Sequence, residues 1–218
     1  MRSFLVIGMG RFGRAVSEEL IELGHDVVAI ESDETIGQNL ADQVAHVVIA
    51  DAKEEGVLRS VGVGNFDCVI VAMTSIEDSI MVTLMVKELG AQYVVAKAKS
   101  KQHMTVLKRV GADRVVFPER DMGQRVAQSL AVEHMIDCIE LSPEDTIVEI
   151  PAPQSWVGKD MIELDIRKKY QVNILAVRAS GVENSLIVEL NPHRKFCEGD
   201  VVFIIGKRWK TQKLGKLK

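Results

Sequence analysis

The sequence predicts an α/β protein: a doubly wound parallel sheet followed by a small α+β C-terminal domain. Short, continuously apolar runs such as VVAI and VIVA alternate with segments of helical periodicity through the first half of the chain, which is typical of βαβ units. A glycine-rich turn comes directly after the first run. After Pro118 the apolar runs become shorter and alternate more with polar residues, so we expect a second domain with a different kind of sheet.

The strands of the first domain are assigned from apolar runs that lack a polar face. Strands that helices cover on both sides need no such face. In chain order the runs are Phe4–Ile7, Val27–Ile30, Val47–Ala50, Cys68–Ala72, Tyr93–Ala98 and Arg114–Phe117. Together they predict a complete doubly wound sheet.

Helices are predicted between these strands where apolar residues recur at helical spacing. The segments are Phe12–Leu23, Ile76–Leu89 and Lys101–Val110. A glycine follows each of them, at positions 24, 90 and 111. Glycine just past a helix C-terminus takes the left-handed conformation that closes the last turn, so the three assignments support one another.

The pattern changes after Pro118. Asp121–His134 is predicted to form one more helix, and no strand of the earlier kind follows closely. We therefore place the first domain at residues 1–135 and the second at 136–218. The second domain is predicted to contain strands at Thr146–Ile150, Asn173–Val177, Leu186–Val188 and Val201–Ile205, with a helix around Lys159–Lys169.

The composition is that of an ordinary folded protein. Of 218 residues, 47% are hydrophobic and 27% are charged, which argues against disorder. The longest apolar stretches are far shorter than the roughly 20 residues of a membrane span, and the N-terminus lacks a signal-peptide cleavage pattern, so we expect a cytosolic protein. The three cysteines are widely spaced and form no CxxC pair. We interpret them as buried or idle thiols, with neither a disulfide framework nor a zinc site.

Basic residues gather at the C-terminus. The last twelve residues contain no acid but include Lys207, Arg208, Lys210, Lys213, Lys216 and Lys218. Such a tail could contact nucleic acid or anionic lipid. Because chain ends usually fray, we interpret it as a solvated terminus, and we expect no nucleic-acid partner.

The motif that carries chemistry is GMGRFG, which lies between the first strand and the first helix. This context predicts a Rossmann-like phosphate-binding loop. Gly8 permits the tight turn, Gly10 leaves the backbone open to a phosphate, and Gly13 allows close packing of helix on strand. The helix N-terminus offers unpaired N–H groups to an anion. With Arg11 and Phe12, these glycines are our candidate nucleotide-binding residues.

Two acids follow neighbouring strands at the same edge of the predicted sheet. Glu31 ends the second strand, near the usual spacing for an acid that accepts hydrogen bonds from an adenosine ribose. A carboxylate there repels a 2′-phosphate, so NADP is disfavoured. Asp51 ends the third strand and either faces the adenine or caps the helix that begins near Lys53. The alternative for the whole motif is a glycine turn kept for packing alone.

Two further charged residues suggest which nucleotide binds. Backbone amides already hold a dinucleotide pyrophosphate, whereas a terminal phosphate carries extra charge that Arg11 could meet. This favours ATP or ADP over NAD, although an arginine on an exposed first helical turn is common. Glu119 follows the sixth strand. In a dimer it either approaches the partner's nucleotide and shares Mg²⁺ or Ca²⁺ with its phosphates, or it is a first-turn acid favoured by the helix dipole.

The sequence contains no recognisable catalytic machinery. The histidines have no metal-ligand spacing, and neither GxSxG nor GxxxxGK[ST] occurs. The small second domain leaves little room for groups that would position a substrate. We therefore expect no catalytic residues and a binding protein, not an enzyme.

The GMGRFG loop, Glu31, the segment ADRVVFPERDMG and the small second module together resemble the TrkA/KtrA family, the cytosolic regulatory subunits of bacterial potassium uptake systems. The resemblance covers nearly the whole chain, an RCK (KTN) domain followed by an RCK C-terminal (TrkA-C) domain. It implies homodimers that assemble into an octameric ring. The ring would dock on the inner face of the membrane, on a TrkH- or KtrB-like potassium-translocating subunit, and respond to nucleotide exchange.

The resemblance also implies residue roles. The loop glycines would hold the phosphates, Arg11 would reach the terminal phosphate, and Glu31 would take the ribose. Glu119 matches an acid that helps bind a cation at the ATP-loaded dimer interface, and Lys97 is a weaker match to a pocket-lining lysine. The helix Asp121–His134 matches the crossover segment that pairs subunits.

A second ligand is implied for the C-terminal domain. In the KtrA-like branch this domain can bind cyclic di-AMP at its dimer interface. Arg167, Asn173 and Ile174 fall where such contacts are expected, with Pro192 less securely placed. The alternative is an ordinary connection from helix to strand.

Two other functions compete with a nucleotide-gated regulatory subunit. One is a small NAD-dependent oxidoreductase, which a hydride-transfer assay would reveal. The other is an NAD(H)-sensing transcriptional regulator, but that would require a DNA-reading domain, and no helix-turn-helix candidate flanks the nucleotide fold.

Overall fold

The structure is a computed structural model that describes residues 1–40, 46–131, 136–181, 186–215 and 217. The chain forms two compact units, Met1–Glu119 and Arg120–Lys218. This division falls within the first turn of a helix, whereas the boundary predicted at residues 135 and 136 keeps that helix with the first domain. The boundary stays a prediction.

The first unit alternates strands and helices along the chain. Its strands are β1 (Ser3–Ile7), β2 (Asp26–Glu31), β3 (His46–Ile49), β4 (Cys68–Val71), β5 (Val94–Lys97) and β6 (Arg114–Val116). Its helices are α1 (Arg11–Glu22), α2 (Glu34–Leu40), α3 (Glu55–Val61), α4 (Ile76–Glu88) and α5 (Lys101–Arg109). The predicted strands and helices are confirmed to within a residue or two at their ends. Helix α2 was not predicted.

The six strands form one parallel sheet in the order β3-β2-β1-β4-β5-β6. Ile7 on β1 lies opposite Ile30 on β2 and Val71 on β4. The order reverses direction between β1 and β4, so loops on either side of that point diverge and leave a crevice at the carboxyl edge. The predicted doubly wound fold is confirmed.

Both faces of this sheet are covered, because successive side chains on a strand point to opposite sides. Leu5 and Ile7 pack in a core that includes Leu58, Val82 and Leu107 from helices α3, α4 and α5. Their neighbours Phe4 and Val6 belong to a second core, which packs against α1 and α2 through side chains including Phe12, Val16, Leu20 and Ile36. The absence of a polar face in these strands follows from this double cover.

The glycines predicted to end three helices do so in the same way. Gly24, Gly90 and Gly111 have positive φ angles of 79°, 89° and 106°. Each glycine N–H donates to the carbonyl three residues earlier, and the next residue's N–H donates to the carbonyl five residues earlier. This paired pattern is the Schellman motif, which satisfies carbonyls at the helix end.

The second unit contains most of α6 (Pro118–Ala131) and an antiparallel sheet. Its strands are β7 (Asp137–Glu140), β8 (Asp145–Pro151), β9 (Asn173–Arg178), β10 (Leu186–Ile187) and β11 (Val201–Lys207), and its later helices are α7 (Ile166–Tyr170) and α8 (Arg208–Leu214). The strand order is β10-β9-β11-β8-β7. The α+β module is confirmed, although β7 was missed. Residues 132–134 of the predicted helix Asp121–His134 lie outside the described residues.

The core of the second unit is built around Trp156, which is fully buried. Its ring lies 5.4 Å from Phe196 and 5.5 Å from Tyr170, measured between centroids. Ile150 and Ile204 pack in the same core from β8 and β11. A separate apolar core of this kind is what allows a small module to be stable.

The predicted helix Lys159–Lys169 is largely wrong. Asp165 has a φ of 44°, a left-handed conformation that interrupts a right-handed helix. Before it, the Asp160 carboxylate accepts hydrogen bonds from the N–H groups of Ile162 and Glu163 and stabilises a turn. Only Ile166–Tyr170 is helical.

The prediction of a frayed C-terminus is also wrong for the described part of the tail. Helix α8 follows β11 directly and buries Thr211 and Leu214. The Thr211 hydroxyl lies 2.9 Å from the Thr146 hydroxyl on β8. Packing of one face against the sheet holds the segment in place.

The three cysteines are free thiols: Cys68 and Cys138 are buried, and Cys197 is exposed. Burial raises the pKa of Cys68 to about 11 and also raises the pKa of Cys138. Both buried thiols are therefore protonated at neutral pH and unreactive.

Candidate functional site

The predicted nucleotide-binding residues of the first unit lie at the carboxyl ends of the parallel strands. The glycine loop follows β1, Glu31 ends β2, Lys97 ends β5, and Glu119 follows β6. Ligands of open α/β sheets bind at this edge, next to the point where the strand order reverses. The topology therefore brings together residues that are far apart in sequence.

The glycine loop is tightly constrained at two of its three glycines. Gly8 has a φ of 93°, and its N–H donates to the Ile30 carbonyl at 2.9 Å. A Cβ on Gly13 would lie 2.1 Å from the Gly8 carbonyl oxygen. Only glycine fits at position 13, because helix α1 begins in direct contact with the turn.

Gly10 differs from the other two. A Cβ there would meet no atom within 4 Å, so the glycine is not required by packing. Gly10 is also the N-cap residue of α1, and it makes no side-chain hydrogen bond to the first turn. The loop therefore presents open space beside uncapped N–H groups, which is the arrangement that binds a phosphate.

Glu31 fixes the loop from the neighbouring strand. Its carboxylate accepts hydrogen bonds from the Met9 N–H at 2.7 Å and from the Asp33 N–H at 2.9 Å. The prediction gave Glu31 a ribose as its partner, and the structure adds a second role because the same carboxylate ties β2 to the loop.

Lys97 and Glu119 form an ion pair at 3.1 Å. The Lys97 side chain is only 12% exposed, whereas that of Glu119 is 63% exposed. The Lys97 ammonium also lies 5.9 Å from the centroid of the Phe12 ring. This cluster connects the ends of β5 and β6 to the first turn of α1.

The pKa of Glu119 is lowered from its ordinary value. A hydrogen bond from its own backbone N–H is the largest cause, and the hydrogen bond and charge of Lys97 and the charge of Arg11 add to it. Glu119 is therefore a carboxylate at neutral pH. Arg11 is exposed at the start of α1, so both signs of charge border the phosphate-binding loop.

Asp51 does not join this cluster. Its carboxylate accepts a hydrogen bond from the Lys53 N–H at 2.9 Å and pairs with the Lys53 ammonium at 3.4 Å. Lys53 also lies 3.7 Å from Asp78. Asp51 thus stabilises the turn before α3 and does not cap the helix itself, whose N-cap residue is Glu54.

Sequence reasoning missed two residues that shape the loop. The Met9 side chain is fully buried, and its N–H and carbonyl are bound by Glu31 and by the Arg14 guanidinium, the latter at 2.9 Å. Arg14 follows Arg11 by three positions, so the two side chains lie on the same side of α1. That spacing was the one available signal.

The residues predicted for the second ligand border a cavity of about 530 Å³ in the second unit. Arg167, Ile174 and Pro192 are among its lining residues, together with Ile162 and Asp165. Asn173, at the start of β9, is exposed but does not line it. Three of the four predicted residues are therefore brought together around one cavity.

The residues present fit a nucleotide better than a protein-held metal. The open space at Gly10 and the uncapped α1 N-terminus suit a phosphate. No group of three or more His, Cys, Asp or Glu side chains suited to a metal occurs among the described residues. The other carboxylate beside the loop, Glu31, already accepts hydrogen bonds from backbone N–H groups, so a cation at Glu119 would need further ligands from phosphate oxygens, water or a second chain.

Within the described ranges, no helix has the length and apolar character needed to cross a membrane.

Both units match known protein families. Residues 4–118 match the TrkA-N domain, and residues 146–217 match the TrkA-C domain. The chain is 39% identical to Ktr system potassium uptake protein C of Bacillus subtilis (strain 168) over 94% of its length and 92% of the relative's. It is also 39% identical to Ktr system potassium uptake protein A of that organism, over 95% and 92%.

Solved structures resemble the chain in fold. The GsuK RCK domain superposes with a TM-score of 0.70 at 23% identity, over all of this chain and 48% of the other. GsuK bound to ADP gives a TM-score of 0.52 at 25% identity, over 57% and 33%. The chain thus spans about half the length of the GsuK chain that it matches.

The fold and the site define an RCK-type protein, with a Rossmann-like sheet that carries a phosphate-binding loop and a small antiparallel second unit. The chain belongs to the family of TrkA and Ktr potassium uptake proteins, as both matched domains and the 39% identity show.

Proposed function

We propose that this chain is the nucleotide-sensing regulatory subunit of a bacterial potassium uptake system and that it acts by binding, without catalysis. The observation that carries the proposal is the open, uncapped phosphate site at Gly10 beside the charged residues Arg11, Lys97 and Glu119. The names of the Ktr relatives support the potassium-uptake context.

ATP and ADP are the proposed ligands of the first unit, in preference to NAD. The phosphates lie on the glycine loop and the α1 N-terminus, and the Glu31 carboxylate, which accepts three hydrogen bonds, keeps one further acceptor position for the ribose. Arg11 meets the terminal phosphate, so it interacts more strongly with ATP than with ADP. That difference in affinity is what allows one nucleotide to favour one conformation of the protein. The structural neighbour GsuK has been solved with ADP and with NAD, so it supports a nucleotide here without choosing between them, and the preference for ATP and ADP rests on Arg11.

A divalent cation, Mg²⁺ or Ca²⁺, is proposed at the Glu119 carboxylate. Glu119 is exposed and ionised, as a ligand for a hard cation must be. The remaining ligands would come from the phosphates of a nucleotide in the partner subunit and from water. The present partner of Glu119 is Lys97, so the cation replaces one positive neighbour by another.

Cyclic di-AMP is the proposed ligand of the second unit. The supporting observation is the cavity lined by Arg167, Ile174 and Pro192, whose volume of about 530 Å³ lies within the usual range of small-molecule sites. The Arg167 guanidinium would meet a phosphate, and the apolar side chains would contact the adenine rings. A dimer would double this site.

The proposed assembly is a homodimer that builds an octameric ring on a TrkH- or KtrB-like membrane subunit. Exposed apolar side chains on α6 support the dimer, because Met122, Val126 and Leu130 recur every four residues along one face. The chain would be cytoplasmic and would lie at the inner face of the membrane through this partner.

The experiment that tests the nucleotide role is calorimetric titration of the purified full chain with ATP and with ADP. Arg11→Ala should weaken ATP binding by about tenfold or more, the usual value of a charge-assisted contact, and ADP binding distinctly less. Arg109→Ala is the matched control, because Arg109 is also an exposed arginine and lies at the C-terminal end of α5. It should change neither affinity.

Equal losses for ATP and ADP in Arg11→Ala would contradict the proposed role of Arg11. Two further measurements address the proposal as a whole. Mass spectrometry of the purified protein should find ATP or ADP, and its native mass should be that of an octamer. Hydride transfer from NADH to a panel of metabolites would favour the oxidoreductase alternative.

A further inference from the structure

A second cavity of the C-terminal unit lies between the end of α7 and helix α8, apart from the cavity that Arg167 lines. Its volume is about 420 Å³. Three lysines border it, Lys169, Lys210 and Lys213, together with the rings of Tyr170 and Trp209 and the buried side chain of Leu214. The cavity therefore combines an apolar floor with a cationic rim, and none of the described residues that line it is acidic.

The basic residues of the C-terminal segment divide into two groups. Lys207 pairs with Glu144 and Asp145 at 3.1 and 3.0 Å, and Arg208 pairs with Glu140 at 2.6 Å. The charges of Lys207 and Arg208 are therefore neutralised by carboxylates at the ends of β7 and β8 and in the turn between them.

The lysines of the cavity are different. Among the described residues, no carboxylate lies within ion-pair distance of Lys169, Lys210 or Lys213. Lys210 instead donates to the Gln171 side-chain oxygen at 2.5 Å, and its ammonium lies 5.1 Å from the centroid of the Trp209 ring. Lys169 lies 5.3 Å from the Tyr170 ring. Their positive charges are therefore available to an anion from outside the unit.

The exposure of Trp209 indicates whether the partner of this cavity is a small ligand confined to it or an extended surface. Its side chain is 64% exposed, so most of the ring would remain in water if a small anion filled the cavity. Tryptophan with lysine neighbours is the combination that settles at the boundary between lipid headgroups and hydrocarbon. A bilayer surface would cover the ring and meet the ammonium groups at the same time.

We propose that the cavity between α7 and α8, with the exposed Trp209 ring, binds the headgroup of an anionic phospholipid at a membrane surface. The phosphate of the lipid contacts Lys169, Lys210 and Lys213, and the Trp209 ring enters the interfacial layer. This contact belongs to the chain itself. It differs from docking on a membrane-embedded partner and does not depend on nucleotide binding.

The test is sedimentation of the full chain with phosphatidylcholine vesicles that contain or lack phosphatidylglycerol. Binding should require the anionic lipid and should weaken with salt. Lys210→Gln/Lys213→Gln should weaken binding by about 10- to 30-fold. Each lysine near an anionic surface raises the affinity for that surface by roughly threefold to tenfold. Trp209→Ala should weaken it with all charges kept.

Lys168→Gln/Lys195→Gln is the matched control. It removes the same charge from exposed lysines that do not line the cavity. An equal loss of vesicle affinity in this control would show that only net charge matters, and it would overturn the proposal. Equal binding to vesicles without phosphatidylglycerol would also overturn it.

Two further outcomes would assign the cavity to another occupant and also overturn the proposal. The first is full competition by millimolar inorganic phosphate or ATP, which would indicate a small-anion site. The second is a lower native mass of Trp209→Ala without vesicles, which would indicate a contact between copies of the chain. Because the vesicles are tested without nucleotide or partner, failure here leaves the proposed nucleotide role intact, and the converse holds.

Discussion

A Cβ atom on Gly13 would lie 2.1 Å from the Gly8 carbonyl oxygen, whereas one on Gly10 would meet nothing within 4 Å. The two glycines of one motif are therefore required for different reasons. Gly13 joins helix to turn, and Gly10 keeps the space into which a phosphate would enter. This contrast separates stability from binding within six residues.

We predict that Gly13→Ala lowers the free energy of unfolding by about 1–3 kcal/mol, the usual cost of forcing an atom into a packed site. Gly10→Ala should leave the free energy of unfolding nearly unchanged but weaken ATP binding, since the new methyl group occupies the open space. Urea denaturation and calorimetric titration of both variants measure the two effects. Unchanged ATP affinity in Gly10→Ala would argue that the phosphate does not approach this part of the loop.

The sequence was sufficient to find the glycines and Glu31 because their spacing relative to a strand and a helix is fixed by the motif. It was not sufficient to show that Glu31 binds the Met9 N–H at 2.7 Å. That contact depends on how far β2 extends beside β1, which is set by the sheet register. Likewise, Lys97 and Glu119 are 22 positions apart and meet only because β5 and β6 are neighbours.

At the scale of a single element, the start of β11 depends on one buried carboxylate. Asp200 is fully buried, pairs with the Arg194 guanidinium at 2.8 Å, and accepts hydrogen bonds from the Cys197 and Ser180 N–H groups at 2.9 and 3.1 Å. Although burial by itself raises the pKa of Asp200, these partners together lower it from 3.8. Asp200 therefore joins two loops to the central strand of the second sheet.

We predict that Asp200→Asn lowers the free energy of unfolding of the second unit by about 3 kcal/mol at pH 7, because Arg194 is left without its buried counter-charge. The folded pKa is lowered, so the stabilisation by Asp200 is present above pH 3.8 and is lost as the pH falls through the lower folded value. The difference between wild type and variant should hold from pH 7 to pH 5 and shrink below about pH 4.

Urea denaturation at several pH values measures this difference. Asp165→Asn is the control, since Asp165 is exposed and asparagine tolerates its left-handed conformation. It should change stability little at any pH. A difference between wild type and Asp200→Asn that does not vary with pH would show that the ion pair is not its cause.

Elements were predictable where local chemistry determined them. The strands of the first sheet and the glycine-terminated helices α1, α4 and α5 carry their own signals in composition and capping. Helix α8 does not, because a short segment rich in lysine has the same composition whether it is frayed or packed. The Thr211 contact with Thr146 that helps to hold α8 spans 65 positions in the chain and is tertiary in origin.

For the molecule as a whole, the exposed side chains of α6 bear on assembly. Leu130 is 80% exposed, Met122 57% and Val126 47%, and their spacing places them on one face. An apolar face of this kind usually marks a contact with another chain. The sequence predicted a helix here, but only the accessibility of these side chains distinguishes a contact face from a core face.

We predict that Leu130→Glu shifts the native mass toward the monomer, because a carboxylate would have to be desolvated at the centre of the contact. Gln124→Glu is the matched control: it adds the same charge at an exposed position of α6 on the opposite side of the helix from Met122. Light scattering after size-exclusion chromatography measures the mass. An unchanged mass in Leu130→Glu would remove α6 from the dimer interface.

The pair of Lys97 and Glu119 has a consequence for how signals combine. The Lys97 side chain is nearly buried, whereas that of Glu119 is exposed. If Glu119 moved toward a cation, Lys97 would lose its ion-pair partner. An enclosed ammonium without a counter-charge is unfavourable, and an incoming phosphate is the group that could take the carboxylate's place. Binding of the cation and of the nucleotide would then be coupled. Each would lower the free-energy cost of binding the other, and either one alone would leave a charge without a counter-charge.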